Sequence, residues 1–418
     1  MYQSKTKKSK KRDHYKLIKF LGAGRFAQTF KAKVLKEELK RDYGEFVAIK
    51  IPLSKEFENV LLKELVLNAT LDSNLQGVKS PNIVSYLGFD DYWDADGERH
   101  PVMIMEYCDG GNLRKKVGEI ENQDPMDIQE AVNIMIQLSE GLRLVHQCRL
   151  FHRDISPENI LFKGSDNNQT AKLADFGVST ILLSIECGGS YTEKWYYLSP
   201  EVIKGEGSFF SDIYSLGVVF YEMTTGQLPF IGKSPFETME LILNQDPVPP
   251  STINPEIDPV LENIILKMIN RDYSQRFQTA KDLHHVLTRY SQGIDPVEEE
   301  INNSLLEAYQ YSRENNFEKA ESTLKGLLER FPENMKIYLN LGELYNRWQR
   351  YTNAIEIFQK GLKIDSKFAF FYRDMALSLY NLNQKKDAIQ ALEKALEYDL
   401  DKSLVTHANN LLRIWKSE

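Results

Sequence analysis

The stretch Phe151-His152-Arg153-Asp154-Ile155-Ser156-Pro157-Glu158-Asn159, followed by Asp175-Phe176-Gly177, decides how this chain is read. It offers an acid, an amide side chain five positions later and a second acid just before a glycine. These are three oxygen-bearing groups able to converge on hydrated magnesium and a phosphate. A hard cation takes oxygen ligands, and phosphoryl transfer is promoted mainly by positioning and charge neutralisation. On this reading Asn159 and Asp175 hold the metal and Asp154 is the base. Asp-Phe-Gly alone is also a common turn, so the reading rests on the groups taken together.

In this order, His-Arg-Asp-x-x-x-x-Asn and Asp-Phe-Gly resemble the motifs of the eukaryotic-type serine/threonine protein kinase family. The resemblance runs from about Tyr15 to Tyr290. It implies an α+β bilobal protein kinase fold, with ATP and Mg2+ as cofactors and transfer of the γ-phosphoryl group to Ser/Thr hydroxyls of protein substrates.

The chain has 418 residues, too many for one ordinary core, with 42% hydrophobic and 27% charged residues. A net charge of -8 gives no reason to expect nucleic acid as a partner. The basic run Lys5-Thr6-Lys7-Lys8-Ser9-Lys10-Lys11-Arg12 reads as a solvated, disordered tail over 1–14, or as an electrostatic contact with an acidic membrane or partner. No apolar run follows it, so it is not a secretory signal. Cys108, Cys148 and Cys187 are odd in number and lack metal-ligand spacing, as expected of reduced thiols. The apolar segment around Ile213 to Met223 is too short to be a transmembrane segment. The expectation is a soluble, cytoplasmic protein.

From Tyr15 the run Tyr-Lys-Leu-Ile-Lys-Phe-Leu suits a strand, and it breaks at Gly22-Ala23-Gly24-Arg25-Phe26-Ala27. An alternating run from Thr29 to Val34 follows. A dinucleotide-binding fold would place a helix after such glycines, so a strand-loop-strand flap over ATP phosphates fits better. Glycine lets the backbone approach phosphate closely, with Phe26 at the loop tip. The family pattern has a third glycine where Ala27 stands and an adenine-packing valine where Thr29 stands. Val47-Ala48-Ile49-Lys50 reads as a third strand, and by resemblance Lys50 contacts the α- and β-phosphates. Its acidic partner is expected on the helix-forming segment Lys55 to Leu71. Glu64, fourteen residues after Lys50, is the candidate, and Glu58 is too close. Such a pair forms only when the helix swings inward, which makes it a switch as well as a scaffold. Pro81 to Val84 and Pro101 to Cys108 read as the fourth and fifth strands, with Asp90 to Arg99 as their hairpin loop. By resemblance Gly22, Ala23 and Gly24 lie over the nucleotide, Met105 is the gatekeeper, the backbone of Glu106 and Cys108 hydrogen-bonds adenine, and Gly110-Gly111 is the hinge.

Pro125 to Cys148 carries Ile128, Val132, Met135, Leu138 and Leu142 at helical spacing, as a core helix leading into the catalytic loop would. His152 reads as a packed structural residue. Arg153 is a cation that needs an anion, and in similar kinases a phosphorylated activation-segment residue supplies it. Ser179, Thr180, Ser184, Ser190, Tyr191 and Thr192 are the candidates. Ser156 stands where serine/threonine kinases place a lysine against the γ-phosphate, and losing that cation weakens transition-state stabilisation. Ser199-Pro200-Glu201 is the counterpart of Ala-Pro-Glu, without a threonine at the usual distance before it. A weakly active or pseudokinase scaffold is therefore the alternative, although Pro157-Glu158-Asn159 favours serine/threonine specificity. Asp212 resembles the family aspartate that anchors the catalytic loop, and Arg276 the partner of Glu201.

After Ser291-Gln292-Gly293-Ile294-Asp295-Pro296 the pattern becomes uninterrupted helix. Ala320, Ala354 and Ala388 recur at an interval of 34, as do Ala308, Gly342, Ala376 and Tyr311, Tyr345, Leu379. This resembles the tetratricopeptide (TPR) family, in which small residues let paired helices approach and aromatics fill the gaps. The implied architecture is an all-α TPR solenoid whose groove takes a protein or peptide ligand. The groove pattern that grips a C-terminal carboxylate is largely missing, with only Asn340 in place and Phe370 and Asp374 where cations would stand. The expected organisation is a kinase domain over 15–290, a linker over 291–298, three TPR repeats over 299–400 and a capping helix over 401–418.

Overall fold

The computed structural model describes residues 14–24, 26–75, 80–93, 98–119, 124–164, 169–176, 193–398 and 402–417. The basic run, Arg25, Gly177, Cys187 and the six candidate phosphorylation sites lie outside them. The chain divides into two compact units, Met1–Gly293 and Ile294–Glu418.

In the first unit, β1 (Tyr15–Ala23), β2 (Ala27–Val34), β3 (Phe46–Pro52), β4 (Tyr86–Trp93) and β5 (Arg99–Glu106) form one antiparallel sheet in the order β1-β2-β3-β5-β4. The period of two sorts its faces. Ala32 and Val34, Val47 and Ile49, and Val102 and Ile104 make one dry cluster. Ala48 and Lys50 therefore face the other side. Helix α1 (Glu37–Tyr43) between β2 and β3 buries no residue, so it left no apolar period to read. Helix α2 (Glu58–Asn74) buries Leu61, Glu64, Asn68 and Leu71.

The fourth strand begins later than its apolar residues suggest. Pro81 to Val84 is a turn with one isolated bridge, Ile83 to Leu173, and β4 takes up part of the expected hairpin loop. Ile83 and Val84 are buried because they serve another sheet: Val84 N–H donates to Leu173 O at 2.8 Å and Leu173 N–H to Asn82 O at 2.9 Å. Strand β4 is a sheet edge, where Asp90 and Asp91 are tolerated.

The helical part of this unit comprises α3 (Leu113–Val117), α4 (Ile128–Gln147), the hairpin β6 (Ile160–Lys163) and β7 (Thr170–Leu173), α5 (Pro200–Ile203), α6 (Phe209–Thr225), α7 (Pro235–Asn244), α8 (Pro250–Ile253), α9 (Pro259–Met268) and α10 (Ala280–Ser291). Helix α6 is apolar around most of its circumference and is buried accordingly. A capping box between Ser208 and Ser211 starts it, and Gly226 at φ 69° stops it.

Among the described residues, every element of the second unit is a helix. Pairs α11 (Pro296–Arg313) and α12 (Phe317–Arg330), α13 (Met335–Arg347) and α14 (Tyr351–Ile364), and α15 (Ala369–Asn381) and α16 (Lys385–Glu397) precede α17 (Lys402–Ser417). Asp295 caps α11 by accepting from Val297 and Glu298 N–H. Within each pair the turn passes through one left-handed residue, Asn315, Gln349 or Asn383, at φ 60°, 60° and 62°. These repeat the 34-residue interval. A Cβ at Gly342 would lie 2.2 Å from the Phe358 ring, so the small residue expected in that column is required by the close approach of α13 and α14.

Candidate active site

Strand β3 carries Lys50 and helix α2 carries Glu64 on its buried face, and the two meet with Nζ at 2.7 and 3.0 Å from the carboxylate oxygens. The same ammonium donates to Asp175 Oδ1 at 2.9 Å. Burial opposes the charge on Lys50, but Asp175 and Glu64 outweigh it and hold the lysine well above its ordinary range. Burial pushes the Glu64 carboxyl up to about 7; Lys50 opposes that rise and the negative Asp175 adds to it. One cation is thus shared between two acids. Helix α2 stands in its inward position, as the Lys50–Glu64 contact requires.

Asn159 spends its amide N–H groups on Asp154, at 2.7 Å to the backbone oxygen and 2.9 Å to Oδ2. This fixes the Asp154 carboxylate and leaves the Asn159 carbonyl oxygen as that side chain's acceptor. The loop around them is held by Asp212 of α6. Asp212 accepts from the N–H groups of His152 and Arg153 at 2.8 Å each and pairs with His146 Nε2 at 2.9 Å. Burial would raise Asp212, but these partners hold it below the usual carboxylate range. Arg153 and Asp175 sit in the left-handed region at φ 66° and 57°, backbone strain that the surrounding bonds must sustain. His152 is fully buried against the Phe176 ring, 4.8 Å between centroids.

The donor set suits a hard cation with phosphate. Asn159 and Asp175 offer oxygen, and among the described residues no group of three or more acids, histidines or cysteines could hold a metal alone. Such a site leaves most coordination positions to phosphate and water, as magnesium prefers. A side chain at Gly22 or Gly24 would meet open space among the described residues: nothing lies within 4 Å of a Cβ built at Gly22, and only Ala27 O, at 3.8 Å, near one at Gly24. Ala23 ends β1 opposite Gln28, and Phe26 packs on Phe57 at 5.1 Å. Met105 pairs with Ala48 in the sheet register. Ser156, in the position of the family's lysine, is buried at 1% exposure.

Glu106 does more than its backbone suggested. Its carboxylate accepts from Ser85 N–H at 2.7 Å, from Lys172 at 2.8 Å and from Lys163 at 2.6 Å. Burial would raise it, but the two lysines hold it below the ordinary range. Burial, with Glu106 nearby, pushes the Cys108 thiol up to about 12, so it is a neutral thiol at physiological pH.

The protein kinase domain family matches residues 15–288. The chain belongs to the protein kinase family. Tetratricopeptide repeat families match residues 305–367 and 373–402 of the same chain. A probable serine/threonine-protein kinase of Clostridium perfringens is 31% identical over 276 residues, covering 65% of this chain and 37% of that protein. Serine/threonine-protein kinase PknB of Mycolicibacterium smegmatis is 31% identical over 293 residues, with 68% and 44% covered. PrkC of Bacillus subtilis is 33% identical over 276 residues, with 64% and 39% covered. The chain therefore spans less than half the length of these relatives. Among solved structures, Rad53 1-466 in complex with AMP-PNP superposes with a TM-score of 0.51 at 25% identity, covering 65% of this chain and 64% of that one.

Within the kinase domain, Arg276 donates to both Glu201 oxygens at 2.7 and 2.9 Å, in a pair with almost no exposure. Motif reading missed Lys163 and Lys172, which answer the Glu106 carboxylate, and Arg114, which joins Glu158 to Glu222. No motif marks them. Their signal is chemical: a lysine between the buried Ala171 and Leu173 of strand β7 needs a buried acid to face.

Proposed function

We propose that this chain is an ATP-dependent protein kinase that phosphorylates Ser/Thr hydroxyls of protein substrates, and that its TPR repeats recruit substrate or regulator. The observation that carries the reading is the meeting of Lys50 with both Glu64 and Asp175, beside an Asp154 held by Asn159. In this reading Asp154 orients the substrate hydroxyl and takes its proton. Lys50, seated by Glu64, holds the α- and β-phosphates, and the backbone of Gly22, Ala23 and Gly24 lies over them. Met105 borders the adenine site, where the backbone of Glu106 and Cys108 supplies hydrogen bonds. Asn159 and Asp175 hold Mg2+, which when bound neutralises phosphate charge. Support comes from the serine/threonine-protein kinase names of the relatives and from AMP-PNP in the Rad53 complex.

We assign the kinase reading to 15–290 and three repeats with a capping helix to 299–418. No described helix is long and apolar enough to cross a membrane. We assign the activity to the cytoplasm, where ATP is at hand as phosphoryl donor. The test is incorporation of labelled phosphate from ATP into a mixture of Ser/Thr peptides by the full chain, by Asp154→Ala and by Lys50→Met, with and without EDTA. Incorporation should require magnesium and fall at least a hundredfold in both variants. Equal incorporation by all three proteins would refute the reading and favour a scaffold whose repeats carry the function.

A further inference from the structure

Arg114 lies on α3, just beyond Gly110-Gly111, and is only 9% exposed. Its guanidinium serves three other segments. Nε donates to Glu158 at 2.8 Å, Nη1 to Glu222 at 2.6 Å, and Nη2 to the Tyr197 hydroxyl. Tyr197 in turn donates to the second Glu222 oxygen at 2.6 Å. Glu158 stands four residues after Asp154, Tyr197 four before Glu201, and Glu222 ten after Asp212 on α6. Helix α6 therefore reaches the catalytic loop twice. Asp212 holds its start directly, at His152 and Arg153, and Glu222 reaches its end, at Glu158, through Arg114. Glu222 has almost no exposure, so its charge requires this partner in place. A planar fork with donors in fixed directions meets acceptors on three other segments and Gly118 O at 3.2 Å on its own, which a single ammonium on a flexible stem does not.

We propose that Arg114 is a positioning residue, a hub through which the seating of Tyr197, before Glu201, fixes the catalytic loop at Glu158 and so orients Asp154. The catalytic consequence rests on the reading of Asp154 as the base; the mechanical coupling does not. Burial would raise Glu158, but Arg114 holds it below the usual carboxylate range, as a standing ion pair does.

The test uses the full chain with Tyr197→Phe, Glu158→Gln and the double variant, none of which removes the hub itself. Each single variant is expected to lower kcat about tenfold, the scale of one charge-assisted hydrogen bond, with KM for ATP unchanged. The double variant should lose little more, because both changes act through one group. In amide hydrogen exchange, Tyr197→Phe should speed exchange over 155–160 severalfold, while the amides of His152 and Arg153, held by Asp212, keep their wild-type rates. Multiplying losses in the double variant, or unchanged exchange over 155–160, would overturn the proposal. If the wild type transfers no phosphate, the kinase reading fails by itself, and the exchange measurement still decides on the hub.

Discussion

Replacing Glu64 with glutamine should separate stability from activity, and the separation should depend on pH. The carboxyl of Glu64 titrates near 7 in the folded chain against an ordinary value of 4.5, because it is buried beside Asp175 with one lysine between them. Its folded value lies above its unfolded value. The stability it contributes is therefore complete below about pH 4.5 and is lost as pH rises through about 7. Between pH 5 and pH 8 the wild type should lose roughly 2 to 3 kcal/mol that a glutamine, which does not titrate, keeps. For a unit of this size that is about 5 °C in melting temperature. Calorimetry of both full chains at several pH values should show the melting temperature of Glu64→Gln rising relative to wild type as pH increases. Activity should move the other way. Lys50 loses the charged partner that fixes it, and removing one member of a buried, hydrogen-bonded charge pair costs roughly 3 kcal/mol, or about a hundredfold in kcat. A melting-temperature difference that is flat or narrows with rising pH would refute the shared-cation account. So would activity within a few fold of wild type.

Two further outcomes follow from packing. Arg276→Met leaves the buried Glu201 carboxylate without its bidentate partner and should destabilise the kinase domain by about 3 to 5 kcal/mol, read as a lower urea midpoint. Gly342→Ala drives a Cβ into the Phe358 ring and should cost about 1 to 3 kcal/mol, seen as a lower helical melting temperature for the repeats.

The residues that sequence exposed are those whose chemistry forces a fixed local pattern. Asp154 and Asn159 belong to one turn, and Lys50 and Glu64 are linked by a strand and one helix, so spacing along the chain is nearly spacing in space. The repeats were legible because small and aromatic columns return every 34 residues. Their left-handed turns return at the same interval but were missed, since Asn315, Gln349 and Asn383 differ in type and none is glycine. Pro81 to Val84 misled because burial of Ile83 and Val84 was credited to the five-stranded sheet, when their partner is Leu173. Arg114 and Glu222 lie 108 residues apart, and Lys172 and Glu106 lie 66 apart, with no periodicity to connect them.

The buried acids of this unit also differ in how firmly their partners hold them. Asp212, Glu201 and Glu106 face the same penalty of burial, yet all three are held below the ordinary carboxylate range by donors of their own. Asp212 has two backbone N–H groups and His146, Glu201 has a bidentate arginine with Ser211, and Glu106 has two lysines with a backbone N–H. A buried pair adds little stability over an apolar substitute, but it has one good geometry, so each of these acids selects one placement of the segments it joins. Glu64 alone of the four is pushed up, by burial and then by the negative Asp175 beside it, against which Lys50 pulls the other way. Of the four, the Lys50–Glu64 contact is therefore the one that changes in pH, in nucleotide phosphates or in the position of α2 can most easily break, while the catalytic loop stays anchored to α6.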